Sequence, residues 1–165
     1  MLIAKPHPES GFTLIEVLIA FLILSIGLLG QAKLQGLSIM NSHDAYNRTQ
    51  ATQLAYDIAD RMRANRAAAS TYISSNLPAE NASKQLGCTT INSICTASQM
   101  AENDLYEWYE QFIHTYNCKR TDNPIKCSAA IYLSGSIYRS TIRWDENRDG
   151  VLDDKDTSFE TSFQL

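Results

Sequence analysis

The sequence predicts an α+β fold in which one long N-terminal helix packs on a small antiparallel sheet. Three observations carry this reading. An aliphatic block fills positions 12–30, and an amphipathic stretch follows it with no proline between Pro8 and Pro78. Near the C-terminus, segments 137–144 and 158–165 alternate apolar and polar residues. The chain has 165 residues, a length that suits one domain with an appendage. A formal charge of −4 disfavours a nucleic-acid partner, which would call for a basic face. No Gly-rich phosphate loop, nucleophile motif or HExxH is present, so no catalytic residues are expected.

The aliphatic block comes first. From Phe12 to Gly30 the polar side chains are Thr13, Glu16 and Ser25. Such a run approaches the ~20 residues that cross ~30 Å of hydrocarbon. A secretory signal would be followed by a small-x-small cleavage site, and none follows here. The small residue, Gly11, precedes the apolar run instead. Glu16 is the anomaly. A carboxylate in such a segment costs about 2.5–3.5 kcal/mol at the centre and less near an end. Either the helix dipole favours it near the first turn, or it needs a specific positive partner.

The run Gly11-Phe12-Thr13-Leu14-Ile15-Glu16-Val17-Leu18-Ile19-Ala20, after a short polar leader, resembles the processing motif of type IV pilins and type II secretion pseudopilins. The resemblance implies a leader at 1–11, cut between Gly11 and Phe12 by a membrane aspartyl protease, the prepilin peptidase. That enzyme also methylates the new Phe12 amine. It further implies that Glu16 pairs with the N-terminal amine of a neighbouring subunit, so that Phe12 and Glu16 serve assembly.

A helix from about Thr13 to about Ala69 would span roughly 80–90 Å. Its expected limits are 12–69, with a transmembrane and assembly segment at 12–31. Ala51, Leu54, Ala55, Ile58 and Met62 form one apolar stripe. Asp57, Asp60, Arg61, Arg63 and Arg66 fall largely on the other faces, and read as a solvated face rather than a basic patch. Gly27, Gly30 and Gly36 each weaken the helix by roughly 1 kcal/mol relative to Ala. They suit either close helix packing in lipid or local melting in a fibre.

The run from Gln53 to Asn65, above all Asp60-Arg61-Met62-Arg63-Ala64-Asn65, is similar to the PilV family of minor pilins. Ile26-Gly27-Leu28-Leu29-Gly30 and Asp104-Leu105-Tyr106-Glu107-Trp108 fit the same family. The resemblance covers residues 11–66 and again 101–113. Major pilins often carry a proline in the first helix. Its absence here points to a minor subunit. The resemblance implies a type IV pilin-like fold and an inner-membrane protein with a periplasmic head. It implies a minor pilin that joins other minor pilins and the major pilin to initiate or cap a pilus, serving twitching motility and adhesion. A type II secretion pseudopilin and a tip adhesin are the alternatives.

The head is expected at 70–165. Residues 70–100, rich in Ser, Thr, Asn and Ala, read as loop. A second helix is predicted from Glu102 to about Tyr116, with Leu105, Trp108, Tyr109, Phe112, Ile113 and Tyr116 as a core-facing stripe. Strands follow near Ala129–Leu133, 137–144 and 158–165, with Ser134-Gly135 as a turn. Cys88, Cys95, Cys118 and Cys127 lack zinc-site spacing and suit two disulfides in an oxidising compartment. Three connectivities exist. Cys88–Cys95 with Cys118–Cys127 is favoured because short loops close readily.

No cofactor is required by this reading, but one loop has calcium-like spacing. Asp145, Asn147, Asp149, Val151, Asp153 and Asp156 fall at positions 1, 3, 5, 7, 9 and 12 of an EF-hand-type loop, with Gly150 at position 6. Val151 would contribute its carbonyl. Against Ca²⁺ stand an Asp in place of the final Glu and flanking strands in place of helices. The alternative is a solvated hairpin loop.

Overall fold

A computed structural model of the chain describes residues 11–75, 84–85, 88, 95–119 and 125–165. The leader positions 1–10 and much of the expected 70–100 loop lie outside the described residues. The fold is α+β, with a long N-terminal helix and a three-stranded antiparallel sheet. Helix α1 runs from Leu14 to Ala64. A 3-10 segment, Arg66–Tyr72, follows it, then helix α2 at Ala97–Tyr116. Strands β1 (Cys127–Ser134), β2 (Ile137–Trp144) and β3 (Ser158–Phe163) close the chain. Contacts divide the molecule into two units, Met1–His43 and Asp44–Leu165.

In the first unit, residues 11–43 are exposed throughout. Its leucines, isoleucines and phenylalanines therefore present a long apolar surface that lipid or other helices must cover. A Cβ placed on Gly27, Gly30 or Gly36 would meet nothing within 4 Å, so nothing among the described residues requires glycine there.

The second unit is built around the stripe of α1. Ala51, Leu54, Ala55, Ile58, Ala59 and Met62 are all buried. They share one core with Leu105, Trp108 and Phe112 of α2 and with Ile131, Ile142 and Trp144 of the sheet. The Trp108 indole donates to the Leu54 carbonyl at 2.8 Å, joining the two helices inside that core. An aromatic row continues from Phe112 to Tyr116 to Trp144, with centroids 5.4 and 5.2 Å apart. The Tyr116 hydroxyl donates to the Asn47 carbonyl at 2.8 Å. Burial raises the pKa of that phenol, which keeps it a donor.

Helix α1 ends earlier than its composition suggests. Ala67, Ala68 and Ala69 are good helix formers, but Asn65 leaves helical geometry at φ −121°, ψ 51°. Its side chain then reaches the Ala97 carbonyl at 2.7 Å and the Tyr72 hydroxyl at 3.3 Å. Helix α2 starts earlier than predicted, at a capping box. Thr96 Oγ1 accepts from Gln99 N at 3.2 Å, and Gln99 Oε1 accepts from Thr96 N at 3.0 Å. At the other end Asn117 takes a left-handed conformation, as a helix stop does.

The sheet order is β1-β2-β3, both pairs antiparallel. Ser140, Ile142 and Trp144 point inward from β2, as their alternation predicts. Gly135, at φ +64°, opens the two-residue turn between Ser134 and Ile137, where a positive φ favours Gly. Strand β3 stops at Phe163, short of the predicted Leu165.

Candidate functional sites

Three places hold the residues singled out in the sequence. The first is the start of α1. Phe12 is 83% exposed, and Gly11, Thr13 and Glu16 are exposed too. The Thr13 carbonyl receives Glu16 N at 3.1 Å and Val17 N at 3.4 Å, so Thr13 opens the helix and Glu16 falls in its first turn. Among the described residues Glu16 has no ion-pair partner. A Cβ on Gly11 would meet nothing within 4 Å. Nothing inside the described chain therefore requires Gly11 to be small or Glu16 to be acidic.

The second place is the head's polar spine, which sequence reasoning did not find. Arg61 was expected on a solvated face. Instead its Nε meets Asp57 at 3.0 Å, and its Nη1 meets both Asp104 and Glu107 at 3.1 Å. Burial opposes the Arg61 charge, but the hydrogen bond to Glu107, the charge of Asp57 and the contacts with Asp104 outweigh it and raise the pKa. The buried Tyr72 hydroxyl donates to Asp104, and burial together with that carboxylate raises the phenol's pKa. Arg63 pairs with Asp60 at 2.7 Å and lies over the Phe163 ring at 5.7 Å. These arginines are thus committed to internal partners.

Two disulfides frame the same region. Cys88 is bonded to Cys95, with Cα atoms 5.4 Å apart, just before α2. Cys118 is bonded to Cys127, with Cα atoms 6.2 Å apart, joining the end of α2 to the start of β1.

The third place is the loop between β2 and β3. Its side chains turn onto its own amides. Gly150 N donates to Asp145 Oδ2 at 2.8 Å, Asp149 N to Asn147 Oδ1 at 2.8 Å, and Val151 N to Asp149 Oδ1 at 2.9 Å. Lys155 N donates to Asp153 Oδ1 at 2.8 Å. Asp156 is 8% exposed, and its carboxylate gathers Glu146 N at 3.0 Å, Asp153 N at 2.8 Å and Asn147 N at 3.5 Å. Burial works against its charge, but the amides of Asp153, Asn147 and Glu146 and the nearby Arg143 hold its pKa below the ordinary value. Gly150 has φ +89° and Arg148 φ +61°. The loop is also tied to α1, through Arg48–Glu146 at 3.3 Å and Arg148–Asp44 at 3.5 Å. Among the described residues no three Asp, Glu, His or Cys side chains converge at metal-binding distance.

With this geometry in view, comparison with known families is direct. Residues 7–30 match the family model for the prokaryotic N-terminal methylation motif. Residues 33–106 match the family model Tt1218-like, described as type IV pilin Tt1218. Over residues 33–106 the chain is similar to type IV pilins. The first match covers the processing motif and the apolar start of α1, and the second carries on through the head to the middle of α2. No curated protein and no solved structure matches the chain. Type IV pilins are structural subunits, not enzymes, which agrees with a chain that shows no catalytic motif. The methylation motif implies processing by a prepilin peptidase, assembly with other pilins and a membrane-anchored precursor.

Proposed function

We propose that this pilin is a minor subunit that joins other minor pilins, and then the major pilin, to initiate or cap a type IV pilus. One observation carries the proposal. Glu16 is the lone acidic side chain between Phe12 and Gly30, it is exposed, and the described chain supplies no cation for it. Cleavage after Gly11 would create a methylated Phe12 amine on each subunit. The amine of one subunit then neutralises Glu16 of the next, at the same depth in the membrane. A charge pair in hydrocarbon is strong because the dielectric is low, and each partner is costly alone. It therefore sets the axial register of neighbouring helices. Packing of the apolar surface over residues 12–31 supplies the remaining attraction.

The lack of proline in α1 and the run Asp60 to Asn65 support the minor, PilV-type assignment within the pilin family. The head would face the periplasm, where its two disulfides are stable. A pseudopilin of type II secretion would use the same first helix, and a tip-adhesin role would add to assembly rather than replace it.

The test is to purify the tagged protein from membranes and identify its partners and its N-terminus by mass spectrometry. An N-methylated Phe12 start and co-purified minor pilins are expected. Recovery of secretion pseudopilins instead, with lost exoprotein secretion and intact pili in a deletion strain, would overturn the pilus assignment. An unprocessed N-terminus in the assembled fraction would overturn the pairing scheme.

A further inference from the structure

We propose that the free edge of β3 takes up an extended strand from a different protein, with apolar residues beside Phe159 and Phe163 and a cation beside Glu160. The inference rests on the sheet and not on the pairing of Glu16. Ser74 and Ile131 exchange both backbone hydrogen bonds, at 3.0 and 2.8 Å, on the side of β1 away from β2. In an antiparallel ladder the bonding direction alternates along each strand. The unbroken register therefore turns Ala130 and Tyr132 toward β2, Ser140 and Ile142 toward β3, and Phe159 and Thr161 back toward β2. Ser158, Glu160 and Ser162 then aim their amides and carbonyls out of the edge of the sheet. All three residues are exposed, and among the described residues none of those backbone groups has a partner. Edges of this kind are ordinarily blunted by Pro, Lys or a bulge. Between Ser158 and Phe163 there is neither Pro nor Lys, and the register with β2 holds no bulge. Such an edge recruits a strand or aggregates.

The covered side of β3 shows what the open side accepts. There β2 sets Tyr138 against Phe163, with ring centroids 5.9 Å apart, and Arg139 against Glu160 at 3.0 Å. Arg139 engages Oε1 of Glu160, which leaves Oε2 for a second cation. Phe159 and Thr161 are half-buried on the inner face, where apolar residues of an added strand would complete their cover. A strand of alternating apolar and basic residues, antiparallel like β2, meets all of these demands. A second copy of this chain does not. Antiparallel pairing of β3 with β3 needs a two-fold axis normal to the sheet, which inverts one α1 against the other. Helices anchored in one membrane cannot be so arranged. Two upright copies could pair these strands only in parallel, with their Phe159 side chains on opposite faces of the joint sheet. The other edge of a copy, β1, is already held at Ile131 by Ser74.

The probe is a fluorophore-labelled peptide with the sequence of β2, Ile137–Trp144, added to the full-length protein in detergent micelles. Saturable binding by fluorescence anisotropy is expected. In hydrogen exchange resolved to single amides, Ser158, Glu160 and Ser162 should exchange freely without the peptide and become protected with it. Phe159, Thr161 and Phe163 should be protected in both states. Ser162→Pro removes an amide that the native ladder does not use, at an edge position that tolerates proline. It should weaken binding about tenfold or more while Phe159 stays protected. Glu160→Gln, a change confined to an exposed side chain, should weaken binding by up to about fivefold, the size of one cross-strand charge pair. No saturable binding up to about 1 mM peptide would overturn the proposal. So would unchanged affinity in both variants, which would place the peptide elsewhere. Protection of Ser158, Glu160 and Ser162 in the protein alone would overturn it as well: with a dimer in sedimentation the edge would belong to a second copy, and with a monomer to the chain itself.

Discussion

Trp108 is the joint through which α2 holds α1, and its replacement measures that joint. The side chain is 0% exposed and stacks on Phe112 with centroids 6.4 Å apart. Its Nε1 donates to Leu54 O at 2.8 Å. Trp108→Phe removes the donor and part of the ring. Leu54 O keeps its intrahelical bond, so the lost hydrogen bond costs about 0.5–1.5 kcal/mol rather than a full desolvation penalty. The vacated space adds roughly 1 kcal/mol of transfer and cavity cost. The sum is about 2 kcal/mol, against about 3–5 kcal/mol for Trp108→Ala. The assay is thermal unfolding of the detergent-solubilised protein, followed by fluorescence of Trp144. That residue is buried against Tyr116 and is the one tryptophan left after the substitution. The Phe variant should melt roughly 5–10 °C below the parent. It should still insert and be processed, because no described residue before Ala51 belongs to the buried core. A shift under about 2 °C in Trp108→Phe would refute the bridging role, as would equal losses in the Phe and Ala variants.

Four further outcomes follow from the same geometry. Glu16→Ala should leave insertion and cleavage intact but reduce co-purification of partner pilins; undiminished co-purification would remove the register role. Gly11→Ala should accumulate the uncleaved precursor on immunoblots, while leaving the head's melting temperature unchanged, since among the described residues the added carbon meets no non-neighbouring atom within 4 Å. Cys118→Ser with Cys127→Ser should cost about 2–3 kcal/mol, because the bridge closes a short loop of sequence separation 9 and Cys118 is buried. Asp156 has a depressed pKa, so its contribution is complete above the unfolded value near 3.8 and is lost as pH falls through the lower folded value. Asp156→Asn, melted in the presence of a chelator, should therefore be destabilised by about 1–3 kcal/mol at neutral pH and should approach the parent in strong acid.

The elements that depend on local periodicity were legible in the sequence. The stripe of Ala51, Leu54, Ala55, Ile58 and Met62 is buried, and so are the inward residues of β2. The features that were not legible depend on contacts between distant positions. Asn65 ends α1 against a run of alanines because its side chain finds Tyr72 and Ala97, the latter 32 positions away. The early start of α2 had a local sign, Thr96 with Gln99, hidden within a Ser- and Thr-rich stretch that reads as loop. Arg61 resembled a solvated arginine, since Asp104 and Glu107 lie 43 and 46 positions further on.

Glu16 and Arg61 invert one another. The fold explains Arg61 by surrounding it with carboxylates, whereas the fold of a single chain leaves Glu16 unexplained and its apolar sequence context exposes the anomaly. Both follow from the cost of removing charge from water, which must be offset by a partner wherever the group resides. Where the partner lies within the chain, the folded structure reveals it. Where burial or lipid demands a partner that the chain does not contain, the deficit marks the place at which another subunit or an ion is to be sought. The start of α1 carries such a deficit at Glu16, which has no ion-pair partner among the described residues. In the proposed assembly that partner is the Phe12 amine of a neighbouring subunit, held at the same depth in the membrane.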